Sequence, residues 1–203
     1  MSAYQNFLDH FSMFNKERLD GLNEMHFSGM SKQERAMAFD YLLKCVERGG
    51  SYETVNGIFI ADFERALAPV TRLMDAGALN EEAHLAAASN VFQITRDEKL
   101  LPIFIRFMSN SDERLRGTAA RCVPSSIFCE ELRFALESMI RSETDKLARI
   151  HAVNKLLLYH DVTEETVGKK RYSNIYRNLH SEDLFKIEEA FSVINRLFAE
   201  DQR

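Results

Sequence analysis

Tryptophan is absent from this chain of 203 residues, and proline, glycine and cysteine are scarce, with three, eight and three residues. So few prolines and glycines argue against a turn-rich β protein and favour long helices. The cysteines, Cys45, Cys122 and Cys129, are widely spaced and form no Cys-x-x-Cys pair. The sequence therefore predicts reduced thiols in a cytoplasmic protein rather than a disulfide framework.

Long apolar runs and basic segments are also missing. No stretch of about 18 apolar residues occurs, so we expect no membrane span. The first 20 residues lack the basic start and apolar core of a secretory signal, so we do not expect secretion by that route. The net charge is −5, which makes nucleic acid an unlikely partner, because proteins that bind it generally are basic or carry a basic stripe.

The middle of the chain repeats itself every 32 residues. Asn80, Asp112 and Thr144 open three helical patterns at that spacing. A second helical half repeats as well, and the matching positions are Leu100, Phe104, Phe107 and Met108 against Leu132, Leu136, Met139 and Ile140. Two-helix repeats of about 20 to 50 residues are typical of solenoids, which mostly bind other macromolecules.

Apolar periodicity predicts helices along most of the chain and no convincing strand. The expected helices span 4–20, 31–48, 52–60, 62–75, 80–95, 97–108, 112–122, 126–141, 144–160 and 181–199. Ser31 and Glu34 have the spacing of a capping box, and Ser126 and Ser181 are expected to cap later helices. We expect a single domain over 1–203, with the clearest repeats at 62–160, an irregular connection at 161–180 and a terminal helix at 181–200.

One segment carries a recognisable pattern. Residues 97–120 contain Leu100-Leu101-Pro102, Phe104, Phe107-Met108, a polar turn, and then Asp112, Leu115-Arg116 and Ala119-Ala120. The segment resembles a HEAT repeat, in which a proline comes early in one helix and an Asp-x-x-Val-Arg-x-x-Ala-Ala run opens the next. Here Leu115 stands in place of the valine.

The resemblance implies an all-α fold, a short right-handed α-solenoid of stacked antiparallel helix pairs of the HEAT or armadillo kind. Weaker matches cover 62–88 and 130–152. The Asp–Arg pair of the repeat does not recur at the 32-residue spacing, because His84 and Ala148 occupy the positions that match Arg116. The resemblance therefore predicts a degenerate, irregular member of that class.

Patterns that would carry chemistry are missing from the sequence. None of the six histidines belongs to an HExxH motif or has a cysteine at zinc-ligand spacing. No Gly-x-Ser-x-Gly or glycine-rich phosphate loop occurs. We therefore expect no catalytic residue, no cofactor and no metal site, and we expect that the protein is not an enzyme.

A basic segment is the first candidate binding site. Between 167 and 180 no acidic residue occurs, while cations alternate with tyrosines: Lys169, Lys170, Arg171, Tyr172, Tyr176 and Arg177. Tyrosine and arginine are enriched at the centres of protein interfaces. The same residues could instead grip a phosphate backbone or form a solvated loop between helices.

Acidic residues at predicted helix starts are the second candidate. Glu81, Glu82, Asp112 and Glu113 open two successive repeats. They suit the positive end of a helix dipole, and equivalent turns of a solenoid line up along one edge. Such an acidic edge would also attract a basic partner.

Three functions compete on this basis. The first is a non-catalytic protein-binding solenoid, such as a bacterial adaptor or a toxin-neutralising immunity protein, with another protein, basic in the immunity case, as its partner. The second is a HEAT-like alkylpurine DNA glycosylase, disfavoured by the absence of tryptophan and of net positive charge. The third is a regulatory or assembly protein that associates with itself.

Overall fold

A computed structural model describes residues 2–12, 21–127 and 129–201, and over these ranges the fold is all-helical, with no β-strand. Two short 3-10 segments, Glu24–His26 and Glu98–Leu100, join the α-helices. The helices are α1 Ala3–Ser12, α2 Lys32–Val46, α3 Tyr52–Ala61, α4 Phe63–Asp75, α5 Glu81–Thr95, α6 Leu101–Met108, α7 Glu113–Cys122, α8 Glu130–Ser142, α9 Lys146–Tyr159, α10 Glu164–Val167, α11 Lys169–Leu179 and α12 Leu184–Asp201. The prediction of an all-α fold is confirmed.

The chain forms two compact units, Met1–Glu98 and Lys99–Arg203. In the first unit, α2 packs on α3, α4 packs on α5, and α5 also packs on α3. The side chain of Asn90 in α5 donates to that of Asn56 in α3 at 2.7 Å, and the Asn80 amide donates to the Gly50 carbonyl at 2.9 Å. Groups that meet between these helices are thus 30 to 34 residues apart in sequence, close to the period of the repeat.

The second unit repeats this plan. Helix α6 packs on α7 and α8, and α9 packs on α7 and α8. Gly117 allows α7 and α9 to approach closely, because a Cβ atom at that position would lie 3.1 Å from the Cα of Ala148. Two stacked helix pairs of this kind bury a shared core, in which Phe104, Phe107, Leu132, Leu136, Ile140 and Leu156 are almost fully enclosed.

The last helix departs from the stacking order. Arg141, near the end of α8, pairs with Glu188 near the start of α12, at 2.6 Å. Arg133, near the start of α8, donates to Asn195 towards the end of α12, at 3.4 Å. Helix α12 therefore runs antiparallel to α8.

Some helices begin at the residues that the sequence predicts, and others do not. The Ser31–Glu34 capping box is present, with both backbone N–H groups satisfied. Helix α8 begins at Glu130 with Cys129 as N-cap, so the prediction that Ser126 caps this helix is wrong. Helix α4 continues through Pro69, and the apolar run 58–60 belongs to α3. Of the predicted first helix, residues 13–20 lie outside the described ranges.

The segment 161–180 differs most from expectation. It was predicted as an irregular connection, but α10 and the eleven-residue α11 occupy most of it. Helix α10 starts at a capping box between Thr163 and Thr166. Gly168, with φ of +81°, then separates the two helices. The predicted basic segment is therefore displayed on a helix.

Candidate partner-binding cleft

Helix α11 presents its predicted site residues on more than one face. Ile175 and Leu179 are buried inside the second unit. Tyr172 stacks on Tyr176 with ring centroids 6.0 Å apart, and Tyr176 lies 4.5 Å from His180. These three rings form a half-buried stripe along one side of the helix.

The cations of the predicted site divide around this stripe. Lys169, Lys170, Arg171 and Arg177 are all exposed. At 100° per residue, Lys169 lies within about 20° of Tyr176, and Arg177 lies about 100° from it. Arg171 lies about 140° from Tyr176, beyond the buried face. Arg177 lines a cavity together with Tyr176, and Arg171 does not line that cavity.

A cleft lies where the end of α11 meets the start of α9 and the loop before α12. It consists of two adjoining cavities of about 700 Å³ and 530 Å³, which share Ile150 and His180. We call this feature the basic cleft. Its lining residues are Glu143, Thr144, Lys146, Arg149, Ile150, Tyr176, Arg177, Asn178, His180, Ser181, Glu182 and Lys186.

Positive charge dominates the basic cleft even though the whole chain has a net charge of −5. Its cations are Lys146, Arg149, Arg177 and Lys186, and none of them forms a salt bridge to a group in the described parts of the chain. Of its two carboxylates, Glu143 is neutralised by a guanidinium and only the exposed Glu182 remains. The cleft therefore carries a local excess of about three positive charges, which favours an anionic ligand.

The carboxylate of Glu143 belongs to a buried, bidentate ion pair. Arg116 donates from Nε at 2.6 Å and from Nη2 at 2.8 Å to its two oxygens. The same carboxylate accepts the backbone N–H groups of Thr144 and Asp145 at 2.9 Å. Arg116 is the main cause of the lowered pKa of Glu143. Glu143 thus fixes the turn between α8 and α9 and is not available to a ligand.

Arg149 occupies the position in α9 that Arg116 occupies in α7. Each is the fourth residue of its helix, and each follows an aspartate cap, Asp112 in one case and Asp145 in the other. The structural period here is thus 33 residues rather than 32. The expectation that Thr144 opens this helix and that Ala148 matches Arg116 is wrong by one residue.

Arg149 lacks the carboxylate that Arg116 has. Its Nη1 donates to the carbonyl of Ser181 at 3.3 Å. Its Nε is buried, and among the described residues nothing accepts a hydrogen bond from it. A buried donor without an acceptor costs about 1–3 kcal/mol. The second arginine of the series therefore keeps, beside the basic cleft, a buried donor that no described group satisfies.

His180 lies beside Arg149 at the junction of the two cavities. Burial, and secondly the charge of Arg149, lower the pKa of its imidazole. Its Nε2 is buried and makes no hydrogen bond to any group that the structure describes. His180 is therefore neutral at pH 7, and an anion bound nearby would favour its protonation.

The predicted acidic sites have structural roles at helix starts. Glu81 and Glu82 are exposed in the first turn of α5, in the first unit. Asp112 accepts the Arg114 N–H at 2.8 Å as the cap of α7, and Glu113 follows it in the second unit. The acidic edge that these residues would form together stays a prediction.

Several cleft residues were not found from the sequence. Lys146 and Arg149 lie on α9, far from the basic segment in sequence, and Lys186 lies on α12, shortly after the end of that segment. The signal that could have found Arg149 was the Asp-x-x-x-Arg spacing shared by Asp112 with Arg116 and by Asp145 with Arg149.

Over the described ranges, no group of three or more histidine, cysteine, aspartate or glutamate side chains could hold a metal ion. In the same ranges, no helix has the length and apolar character needed to cross a membrane. Comparisons with protein-family profiles, with curated proteins and with solved structures find no match to this chain.

Proposed function

We propose that this chain is a non-catalytic protein-binding domain, built as a short HEAT-like α-solenoid, that binds a partner protein at the basic cleft. The observation that carries the proposal is the concentration of unpaired cations and stacked rings around an open cleft in an otherwise acidic chain. Arginine and tyrosine are the side chains that most often supply binding energy at protein interfaces.

Stacked helix pairs support the solenoid part of the proposal. Within each unit, groups that meet between neighbouring pairs are separated by about one repeat in sequence. Repeats of this kind expose long surfaces that suit extended or irregular partners. Within the proposal, the protein acts in the cytoplasm as an adaptor or as a toxin-neutralising immunity protein.

Site-specific photo-crosslinking tests the proposal. A photoreactive phenylalanine analogue replaces the exposed Arg177 of the cleft in one sample and the exposed Met37 of α2 in a control sample. After irradiation in native cells, we expect one identified protein crosslinked at 177 and not at 37. Absence of any crosslinked protein specific to 177 would contradict the proposal, and a crosslinked second copy of the chain would indicate self-association.

A further inference from the structure

We propose that the occupant of the basic cleft is an acidic peptide segment, one of whose carboxylates takes the place beside Arg149 that Glu143 takes beside Arg116. This inference rests on the proposed function, since it names the chemistry of the partner at the same site.

The first support is the comparison of the two arginines. The Glu143 carboxylate, from the turn between α8 and α9, accepts two hydrogen bonds from Arg116. Two backbone carbonyls accept hydrogen bonds from Nη1 of Arg116. At Arg149, the turn between α11 and α12 supplies the Ser181 carbonyl as the acceptor for Nη1, and Nε has no acceptor among the described residues. A guanidinium matches a carboxylate in geometry as well as in charge, so a ligand carboxylate fits this position.

The second support is the shape and charge of the cleft. Two cavities in a row, about 700 Å³ and 530 Å³, form a site longer than one functional group requires. Lys146 lies at one end, whereas Arg177 and Lys186 lie at the other. Successive acidic side chains of an extended segment would meet successive cations. Ile150 and Tyr176 offer apolar surface between them.

The net negative charge of the chain favours a short acidic peptide over nucleic acid as the occupant of the basic cleft. Charges on a protein surface act over about 10 Å at moderate ionic strength. A short acidic segment inside the cleft experiences mainly the local cations. A long polyanion extends beyond the cleft and meets the remainder of a chain with a net charge of −5.

Glu182 is a carboxylate of the protein itself that would repel an acidic ligand at the basic cleft. It is the carboxylate of the basic cleft that is not held by Arg116, and its side chain is exposed. An acidic ligand must approach against its charge. Replacement of Glu182 by glutamine is therefore expected to strengthen binding, a result that general damage to the fold does not produce.

The test starts from short random-sequence peptides displayed on phage, selected on the full chain. Peptides that also bind the variant K146Q/R177Q/K186Q are discarded. We expect the remaining peptides to be rich in aspartate and glutamate. A remaining set without net negative charge would overturn the inference.

Fluorescence anisotropy then measures the selected peptide against matched variants. The cleft variant K146Q/R177Q/K186Q should weaken binding roughly tenfold or more, because each lost charge pair contributes a fraction of that factor. The control K32Q/K44Q/R48Q, which removes the same charge from exposed positions of the first unit, should change the affinity less than about twofold. Equal weakening by both variants would overturn the inference.

Two further arms complete the experiment. Glu182→Gln should bind the peptide about two- to fivefold more tightly. A labelled single-stranded oligothymidylate that binds the cleft more tightly than the peptide would overturn the inference. A partner crosslinked at 177 whose contact segment is not acidic would leave the proposed function intact and refute this inference, whereas peptide binding without any crosslinked partner would refute the proposed function.

Discussion

The starts of α7 and α9 carry an arginine at the same helical position, and the two arginines differ in their hydrogen-bond partners. At α7, Arg116 is paired with a carboxylate that is itself buried and held by backbone N–H groups. At α9, Arg149 has a carbonyl at 3.3 Å and a buried Nε without an acceptor in the described residues. The comparison teaches that an arginine at the same position of two helices can be fully satisfied in one place and, within the part of the chain that the structure describes, keep a donor without an acceptor in the other.

Removal of each arginine should have very different effects on stability. Arg116→Met leaves the buried Glu143 carboxylate uncompensated, so we expect the free energy of unfolding to fall by about 3–5 kcal/mol. Arg149→Met removes a buried donor that lacks an acceptor in the described ranges, so we expect the free energy of unfolding to stay the same or to rise by up to about 3 kcal/mol. Urea denaturation of both variants measures the difference, and equal losses would contradict the comparison.

Lowering the pH should distinguish two buried groups of the second unit, His160 and Glu143. Each is expected to lose its contribution to stability in a different pH range. Burial lowers the pKa of His160 from 6.5 to about 4. Between pH 6.5 and 4 the unfolded chain therefore binds a proton that the folded chain does not. The contribution of His160 is fully present above pH 6.5, and up to about 3 kcal/mol of it is lost as the pH falls to 4.

The Glu143 carboxylate loses its contribution in the same direction but in a lower pH range. Its pKa is lowered, so its contribution is present above the unfolded value of 4.5 and is lost only as the pH falls further. Urea denaturation of the wild type and of His160→Asn at pH 7.5 and 5 separates the two groups. We expect the wild type to lose more stability than the variant over this interval, and identical losses would show that His160 does not titrate as described.

Close packing between helices should distinguish two glycines. A Cβ atom at Gly117 meets the backbone of Ala148 at 3.1 Å, whereas a Cβ atom at Gly57 meets the terminal Cδ1 atom of Leu22 at 2.7 Å. A side-chain end can move more easily than a helix backbone. We expect Gly117→Ala to lower the free energy of unfolding by about 1–3 kcal/mol.

Gly57→Ala is the matched comparison. Alanine favours the helix by about 1 kcal/mol over glycine, which offsets part of the cost of moving Leu22. We therefore expect a smaller net change than at Gly117, measured by thermal unfolding of both variants. A larger loss at Gly57 than at Gly117 would contradict the close approach of α7 and α9 at Gly117.

Apolar periodicity was sufficient to predict most of the helices, because each buries one face in a shared core. It failed at α11, where only Ile175 and Leu179 are buried and the other side chains are largely polar. It also misplaced the start of α9 by one residue. Thr144 and Asp145 are both good caps, and only the structure shows the Asp145 carboxylate accepting the Ala148 N–H at 2.8 Å.

The candidate site was predictable in part. Tyr176 and Arg177 came from the composition of one segment, and the structure places both in the basic cleft. Lys146 and Arg149 join them through tertiary packing, which local sequence does not encode, and Lys186 comes from the start of the next helix. Arg171 met the same compositional criterion, but it does not line the basic cleft.

The account depends most on the guanidinium of Arg149 having a donor for a ligand carboxylate, whereas the donors of Arg116 are already paired. The most direct measurement follows the Nε–Hε signals of both arginines by ¹H–¹⁵N NMR while the selected acidic peptide is added. The account predicts that the Arg149 signal shifts with peptide concentration and saturates, while the Arg116 signal stays in place. An unmoved Arg149 signal at saturating peptide, or a shift at Arg116 alone, would contradict it.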